Sequence, residues 1–251
     1  MASLLELTEV SIAFGGLRAN RDISFAIEEG EVIGLIRPNG AGKTTLIHLI
    51  SGNLRPTNGR IRFKGRDIQG LAPNVVNGLG IARTYQVVQP FRGMTVVENI
   101  ATGALFGRSG KKRGTREALV KAEEVAELCK IWDRRNELVD NLTIADVRRV
   151  EIAKALATDP FLLLLDEALA GLNPREIEDS LDLIKGVNRA GVSILIIEHI
   201  MKAVMAISQR IVVLHNGMVM AVDKPENIVK NEDVIKAYLG HKYAARAGKT
   251  N

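Results

Sequence analysis

The sequence predicts an α/β fold built on a parallel sheet, and two observations predict it. Short, strongly apolar runs at residues 31–36, 161–166 and 193–198 each end just before polar or glycine-rich residues. Such runs are typical of parallel strands that are buried on both faces. Helical patterns follow the first two runs, at residues 42–50 and 175–190. This strand–helix–strand order favours a parallel sheet covered by helices.

The N-terminal part and the region after residue 210 differ from this pattern. Residues 5–14, 22–27 and 60–63 read as strands separated by polar turns, with no helices between them. This order predicts an antiparallel β part on the N-terminal side. Asn216-Gly217 stands between two apolar runs and predicts a β-hairpin.

The middle of the chain is predicted to be helical. Thr95 and Glu98 form a capping box that opens a helix at Val96, and residues 116–131 carry apolar side chains at helical spacing. Between these helices we expect residues 107–116 to form a solvated, flexible linker. Its basic run, Lys111, Lys112 and Arg113, leaves open a contact with anionic lipid headgroups or an acidic partner.

Composition excludes several classes of protein. The 251 residues are 46% hydrophobic and 25% charged, which excludes disordered and fibrous chains. A net charge of +5 is too small to imply nucleic acid on its own. Cys129 is the single cysteine, so no intramolecular disulfide forms and a reducing compartment is expected. The apolar runs are far shorter than the roughly 20 residues that cross a bilayer, and we expect a cytoplasmic chain without a secretory signal.

A phosphate-binding loop is predicted directly after the first predicted strand. Its residues are Arg37, Pro38, Asn39, Gly40, Ala41, Gly42, Lys43, Thr44 and Thr45. Small residues let successive backbone N–H groups converge on phosphate oxygens. Lys43 would reach the β- and γ-phosphates, and the Thr44 hydroxyl would coordinate Mg²⁺. The helix that follows points its positive N-terminal end at the same anion.

Arg37 departs from the pattern of this loop, which has glycine at that position. Glycine there tolerates a tight bend and close backbone approach to phosphate. Two alternatives remain open from the sequence: the arginine weakens nucleotide binding, or its guanidinium lies outward in solvent.

Asp166 and Glu167 directly follow the apolar residues 162–165 of the second run. A carboxylate at the C-terminal end of a buried strand beside a phosphate loop is the place for an aspartate that organises Mg²⁺, which we assign to Asp166. Glu167 is one residue further on and can orient or deprotonate the attacking water.

With these motifs in order, the chain resembles the ATP-binding-cassette (ABC) ATPases from about residue 4 to 240. The resemblance implies a P-loop NTPase core with a parallel sheet, an N-terminal antiparallel β subdomain and a helical subdomain at about 93–160. We expect residues 241–251 to be a basic, disordered tail.

Further roles follow from this resemblance alone. Phe14 resembles the aromatic residue that stacks on adenine. Gln86 resembles the glutamine that contacts Mg²⁺ and the attacking water and couples to the membrane partner. His199 resembles the histidine that reaches the γ-phosphate. Residues 170–173 resemble the loop that crosses the dimer interface and are called the interface loop below.

The signature motif of the family is altered in this chain. The matching stretch is Leu142, Thr143, Ile144, Ala145 and Asp146. In the family this stretch completes the ATP site of the opposite subunit. Thr143 keeps a hydroxyl, whereas Ala145 replaces a glycine and Asp146 adds a negative charge near an anion. Ala168 also replaces the usual proline, and Ile200 stands where aspartate is frequent.

Within the family, the chain is most similar to the ATPase subunits of branched-chain amino acid importers. This likeness implies ATP and Mg²⁺ as ligands and ATP hydrolysis that energises the uptake of branched-chain or related amino acids. The expected partners are integral membrane permease subunits, a second ABC ATPase subunit (or a second copy of this chain) and an external substrate-binding protein, with no nucleic acid. The implied location is the inner face of the cell membrane, held there through the permease.

Two alternatives stand beside this hypothesis. One is a catalytically weak, nucleotide-gated regulatory subunit, in which Arg37 and the altered signature reduce activity. The other is a soluble cassette protein acting on nucleic acid or ribosomes, but the second cassette expected in such a chain is missing from the sequence.

Overall fold

The structure is a computed structural model, which describes residues 3–37, 43–108 and 113–239. Ten strands lie in this part of the chain: β1 (Ser3–Phe14), β2 (Leu17–Glu28), β3 (Val32–Ile36), β4 (Asn58–Phe63), β5 (Arg66–Asp67), β6 (Ile81–Arg83), β7 (Leu162–Asp166), β8 (Ser193–Ile197), β9 (Arg210–His215) and β10 (Met218–Asp223). The α-helices are α1 (Lys43–Ile50), α2 (Pro73–Leu79), α3 (Val96–Ala104), α4 (Thr115–Leu128), α5 (Ile144–Leu156), α6 (Pro174–Arg189), α7 (Met201–Ile207), α8 (Pro225–Ile228) and α9 (Glu232–Leu239).

The strands form two sheets. The smaller sheet has the order β2-β1-β4-β5 and is antiparallel, as the sequence predicts for the N-terminal side. The larger sheet has the order β10-β9-β3-β8-β7-β6, and its pairs are parallel except for the β9–β10 hairpin. Every residue of β3, β7 and β8 is buried, because layers of structure cover both faces of these strands. The predicted α/β fold with a parallel sheet is confirmed.

Two hydrophobic cores lie on opposite faces of the larger sheet. One core joins the smaller sheet and α1 to side chains such as Leu164 and Leu195. The other joins α3, α4, α5 and α6 to the intervening side chains, such as Leu163 and Ile194. This alternation follows from the strand period of two. The helices α3–α5 fall inside the predicted helical subdomain.

The local signals for helices and turns have clear structural counterparts. Thr95 accepts a hydrogen bond from the Glu98 backbone, and the Glu98 carboxylate accepts one from the Thr95 N–H at 2.7 Å, so the predicted capping box is confirmed. The predicted hairpin is confirmed as well. Its turn residues Asn216 and Gly217 both have positive φ, 49° and 76°, as the tight turn between twisted strands requires.

The prediction of a solvated linker at residues 107–116 is wrong for Arg113, the last residue of its basic run. Arg113 is only a quarter exposed. Its guanidinium donates to the Ala104 carbonyl at 2.8 Å and forms an ion pair with Asp159. The arginine thereby ties the beginning of α4 to the segment after α5. Lys111 and Lys112 lie outside the described residues, as does the predicted tail at 241–251.

No helix in the described ranges is long and apolar enough to cross a membrane.

Candidate functional site

The candidate site lies where the parallel strands end. The carboxyl ends of parallel strands meet at one edge of the sheet, and ligands of α/β proteins bind there. Asp166 is the last residue of β7 and Glu167 follows it; His199 comes two residues after β8. Gln86 comes three residues after β6. Because β6 and β8 lie on either side of β7, the glutamine and the histidine flank the glutamate.

Glu167 is held by two side chains that the resemblance to ABC ATPases singled out. The Gln86 amide donates to one carboxylate oxygen, with Nε2 to Oε2 at 2.6 Å. The His199 ring nitrogen Nε2 lies 2.8 Å from the other oxygen, Oε1. The backbone N–H of Glu167 donates to the Ile197 carbonyl at 2.9 Å, which ties the residue to the end of β8. The structure thus brings the three predicted catalytic residues into one cluster.

Asp166 lies deeper than Glu167, and its side chain is 2% exposed. Arg83 on β6 approaches it, with Nη2 3.7 Å from Oδ2, and the Thr84 hydroxyl accepts from the Asp166 backbone at 3.4 Å. Burial lowers the pKa of Arg83, and the charge of Asp166 opposes that shift. The Arg83 guanidinium therefore balances part of the negative charge of Asp166.

The oxygen donors at this edge fit Mg²⁺. The Asp166 carboxylate and the Gln86 amide oxygen are the donor type that this ion prefers. Among the described residues, no group of three or more His, Cys, Asp or Glu forms a cage for a metal ion. Mg²⁺ does not need one, since it is usually held by one or two protein ligands, water and substrate phosphates.

The predicted phosphate loop is only partly described. Pro38, Asn39, Gly40, Ala41 and Gly42 lie outside the described residues, as do the side chains of Lys43 and Thr44. Helix α1 begins at Lys43, directly after the loop, and β3 ends at Ile36, directly before Arg37. The strand before the motif and the helix after it, which the motif requires, are therefore present.

The Arg37 guanidinium does not lie in solvent, since the residue is 7% exposed. Its Nη1 atom is buried and has no hydrogen-bond partner among the described residues. Burial lowers the pKa of Arg37, and an electrostatic interaction with Tyr238 on α9 opposes that shift. Burial raises the pKa of Tyr238 in turn. Of the two alternatives for Arg37, the outward orientation is wrong.

Phe14 ends β1 and is 48% exposed. A large aromatic ring in that position can stack on a flat, apolar ligand surface such as a nucleotide base. Gly15 next to it has a φ of 57°, a left-handed conformation that turns the chain into β2.

The altered signature forms the N-terminal cap of α5. The Thr143 hydroxyl accepts from the Asp146 N–H at 3.2 Å and donates to the Asp146 carboxylate at 2.8 Å. Arg134 and Arg149 lie 3.4 and 3.8 Å from that carboxylate. The negative charge that the sequence places here is therefore balanced by two guanidinium groups. Ile144 is 61% exposed and projects from the same turn.

Sequence reasoning missed two residues of this site, Glu198 and Arg148. Glu198 is 4% exposed, and its carboxylate accepts from the Leu169 N–H at 2.8 Å. Arg148 on α5 donates to the Tyr85 carbonyl at 3.4 Å. Burial lowers the pKa of Arg148, and the nearby carboxylates, that of Glu198 first, oppose the shift. An acid directly after a buried strand and directly before His199 was the available signal for Glu198.

The fold and this cluster define an ABC-type ATPase, and the comparison with known families agrees. The sequence profile of the ABC transporter family matches residues 20–170. The chain belongs to this family and is an ATP-binding, ATP-hydrolysing transporter subunit.

The names of individual relatives are more specific about the transported substrate than the family description is. The chain is 40% identical over 249 residues to the high-affinity branched-chain amino acid transport ATP-binding protein BraF of Pseudomonas aeruginosa. The alignment covers 94% of this chain and 98% of that protein. It is similar, at 39% identity and the same coverage, to the protein LivG of Escherichia coli K12, which carries the same description.

Solved structures show the same fold. A nucleotide-free ATP-binding cassette from an ABC transporter matches with a TM-score of 0.85 and 27% identity, covering 96% of this chain and all of that chain. The ADP conformation of an ATP-binding cassette matches with a TM-score of 0.86 and 28% identity at the same coverage.

Proposed function

We propose that this chain energises the import of branched-chain amino acids by hydrolysing ATP beneath a membrane permease. The observation that carries the proposal is the identity of about two residues in five, over nearly the whole chain, with ATPase subunits named for that transport. The substrate itself would bind to other subunits, so the site described here supplies the energy and not the specificity.

Nucleotide binding is assigned to the residues around the phosphate loop. The backbone of residues 37–45 and the Lys43 side chain would hold the phosphates, and Phe14 would stack on the adenine. Thr44, Asp166 and Gln86 would hold Mg²⁺, which when bound supplies positive charge to the β- and γ-phosphates.

Glu167 is proposed as the base for the attacking water. Its Oε2 already accepts from Gln86 and its Oε1 lies against His199, but a carboxylate has about four acceptor positions, so a water can still bind. Gln86 and His199 fix the direction of the carboxylate, which is the requirement for efficient proton abstraction. The family resemblance assigns His199 the further role of reaching the γ-phosphate, and its side chain is 47% exposed and so accessible to a ligand.

A groove beside Gln86 is the proposed docking surface for the permease. This cavity of about 470 Å³ lies between the end of β6 and helices α2, α3 and α5. Three aromatic side chains on its lining, Tyr85, Phe91 and Phe106, are at least half exposed. Exposed apolar patches of this kind mark protein interaction sites. Because Tyr85 precedes Gln86, an occupant of this groove would act one residue away from a partner of Glu167.

The proposed assembly is an asymmetric pair with a second ABC ATPase subunit, together with an external substrate-binding protein. The single hydroxyl proton of Thr143 is already donated to Asp146. In this closed cap the Thr143 hydroxyl therefore has no proton left to donate to ATP held by a partner. The closed cap would affect ATP held by the partner and not ATP held by this chain, whose own Glu167, Gln86 and His199 lie together, and this cluster supports an active ATPase over the weak regulatory alternative.

Reconstituted uptake tests the proposal. Proteoliposomes would contain this chain, its permease subunits and the second ATPase subunit, with the binding protein added outside and ATP enclosed. We expect ATP-dependent accumulation of labelled leucine but not of labelled glutamate, the matched non-substrate. Absence of leucine accumulation while ATP is hydrolysed would contradict the assignment of the substrate and leave the ATPase assignment intact.

A further inference from the structure

We propose that Glu198 is a positioning residue for ATP hydrolysis, whose buried carboxylate fixes the start of the interface loop beside the catalytic Glu167. The inference rests on the proposed function, because it assumes that Glu167 activates water.

The sheet register brings the two glutamates together. Asp166 pairs with Ile197 in the parallel β7–β8 ladder, so Glu167 and Glu198 leave the same edge of the sheet side by side. Two hydrogen bonds then join the segments. The Glu167 N–H donates to the Ile197 carbonyl at 2.9 Å, and the Leu169 N–H donates to the Glu198 carboxylate at 2.8 Å. Leu169 directly precedes the interface loop, so this second bond sets where the loop begins.

Adjacent residues after β8 therefore contact two parts of the machinery. His199 lies 2.8 Å from the Glu167 carboxylate, and Glu198 holds the residue before the interface loop. Because the two residues share a peptide bond, a shift of His199 toward a bound γ-phosphate would move Glu198 with it. The geometry gives a direct physical connection between the occupancy of this site and the loop that faces the partner subunit.

The burial of the Glu198 carboxylate has a desolvation cost that a residue with only a packing role would not have. Glu198 is 4% exposed, and burial raises its pKa to about 7, with the negative charges of Glu167 and Asp166 adding to the shift. The Leu169 hydrogen bond and the charge of Arg148 oppose it. A residue that only filled space here would be apolar, since an apolar side chain avoids the desolvation of a carboxylate. Glu198 instead places a carboxylate here and bonds it to one backbone donor, the Leu169 N–H, which points to a role in holding that N–H in place.

Arg148 extends the connection to the signature helix and to the segment of Gln86. Its guanidinium donates to the Tyr85 carbonyl at 3.4 Å and interacts electrostatically with Glu198. Helix α5, the interface loop and the segment of Gln86 thus meet around one buried acid. Displacement of the Glu198 carboxylate would disturb the alignment of these three elements without removing a group that touches ATP.

The test compares two substitutions in the full-length chain assembled with its partner subunits. Glu198→Gln keeps an acceptor oxygen for the Leu169 N–H, whereas Glu198→Leu keeps the volume and removes the acceptor. We expect Glu198→Leu to lower kcat about 10- to 100-fold, as a small misplacement of a catalytic assembly does, with the Kd for ATP unchanged. Glu198→Gln should keep kcat close to that of the wild type. Glu178→Leu, at an exposed glutamate on α6, is the matched control and should change neither quantity.

The outcomes that overturn the proposal are distinct. Wild-type kcat in Glu198→Leu, or an equal loss of kcat in Glu198→Leu and Glu198→Gln, would show that the hydrogen bond from the Leu169 N–H to residue 198 does not affect turnover. If Glu198→Leu does not fold, Glu198→Ala carries the same expectation, because it also removes the carboxylate that holds the Leu169 N–H. A Glu167→Gln variant measured in parallel tests the underlying function: its unchanged turnover would overturn the role of Glu167, whatever Glu198 does.

Discussion

Glu167 carries an unusual backbone conformation at the centre of the site. Its φ of 51° lies in the left-handed region, which is uncommon for residues with a Cβ atom. The conformation is held by the bond from its N–H to Ile197 and by the side-chain contacts with Gln86 and His199. Sparsely populated conformations cluster at functional sites, where the surrounding structure fixes them. The backbone of Glu167 thus aims its carboxylate at the two residues that orient it.

Substitution of Arg37 tests whether ATP binding by the phosphate loop requires the arginine side chain. The guanidinium is buried and interacts with Tyr238 of the C-terminal helix. We therefore expect Arg37→Gly to leave ATP affinity unchanged or to increase it, because glycine permits closer backbone approach to phosphate. Titration with a fluorescent ATP analogue measures this, and Arg37→Leu is the control that keeps the buried volume. A loss of affinity in both variants would show instead that the guanidinium contacts phosphate.

The raised pKa of Glu198 predicts a pH-dependent stability. The folded chain keeps the proton up to about pH 7, whereas the unfolded chain loses it near the ordinary value of 4.5. The contribution of this group to the free energy of unfolding is therefore fully present below about pH 4.5 and is lost as the pH rises through 7. Glutamine at position 198 does not ionise, so Glu198→Gln avoids this loss of stability at high pH. The variant should be more stable than the wild type by about 3 kcal/mol at pH 8.5, at 1.36 kcal/mol per unit of the pKa difference between the folded and unfolded chains.

Urea unfolding without nucleotide and in EDTA measures this effect. The stabilisation by Glu198→Gln should shrink markedly between pH 8.5 and pH 5, since the wild-type carboxyl is neutral at the lower pH. The same difference in the free energy of unfolding at both pH values would show that the carboxyl does not titrate in this range.

At the level of elements, the N-terminus of α5 determines what this chain offers to a partner's ATP. Ala145 adds a Cβ where the family has glycine, and Thr143 is engaged with Asp146. Removing one aimed donor to developing charge costs about 10²–10³ in rate. We expect the purified chain alone to hydrolyse ATP slowly and the combined change Ala145→Gly with Asp146→Gln to accelerate it.

Steady-state turnover of the chain alone and of its mixture with the second ATPase subunit checks this prediction. The double variant should gain rate when self-paired, because glycine permits close approach and the Thr143 hydroxyl is released. If the unmodified chain alone turns over as fast as the mixed pair, the asymmetric arrangement is wrong.

The sequence predicted some elements well and missed others for physical reasons. β3, β7 and β8 were predictable because strands buried on both faces need continuous apolar runs. β6 has three residues and α7 has seven, which is too short for a period to emerge. Helix α4 was predicted at residues 116–131 and spans Thr115–Leu128, and Leu119, one of the apolar residues of that predicted helix, is 37% exposed.

At the scale of the whole molecule, the site depends on a strand order that no local pattern contains. β7 lies between β6 and β8, although about 80 residues separate β6 from β7 in the chain. Motifs predicted Gln86, Glu167 and His199 one by one, but the hydrogen bonds among them follow only from this order. The role of Glu198 was hidden for the same reason, since its partner Leu169 belongs to the neighbouring strand's loop.

ATP turnover by Glu167→Gln in the assembled complex tests the central claim most directly. We predict that the variant binds ATP with wild-type affinity and loses turnover by about 10²-fold or more, as expected for removal of a general base. Lys43→Ala should instead lose ATP binding, and Glu178→Gln, an exposed control, should behave as the wild type. Unchanged turnover in Glu167→Gln would contradict the account, because the carboxylate that Gln86 and His199 hold would then not be the base.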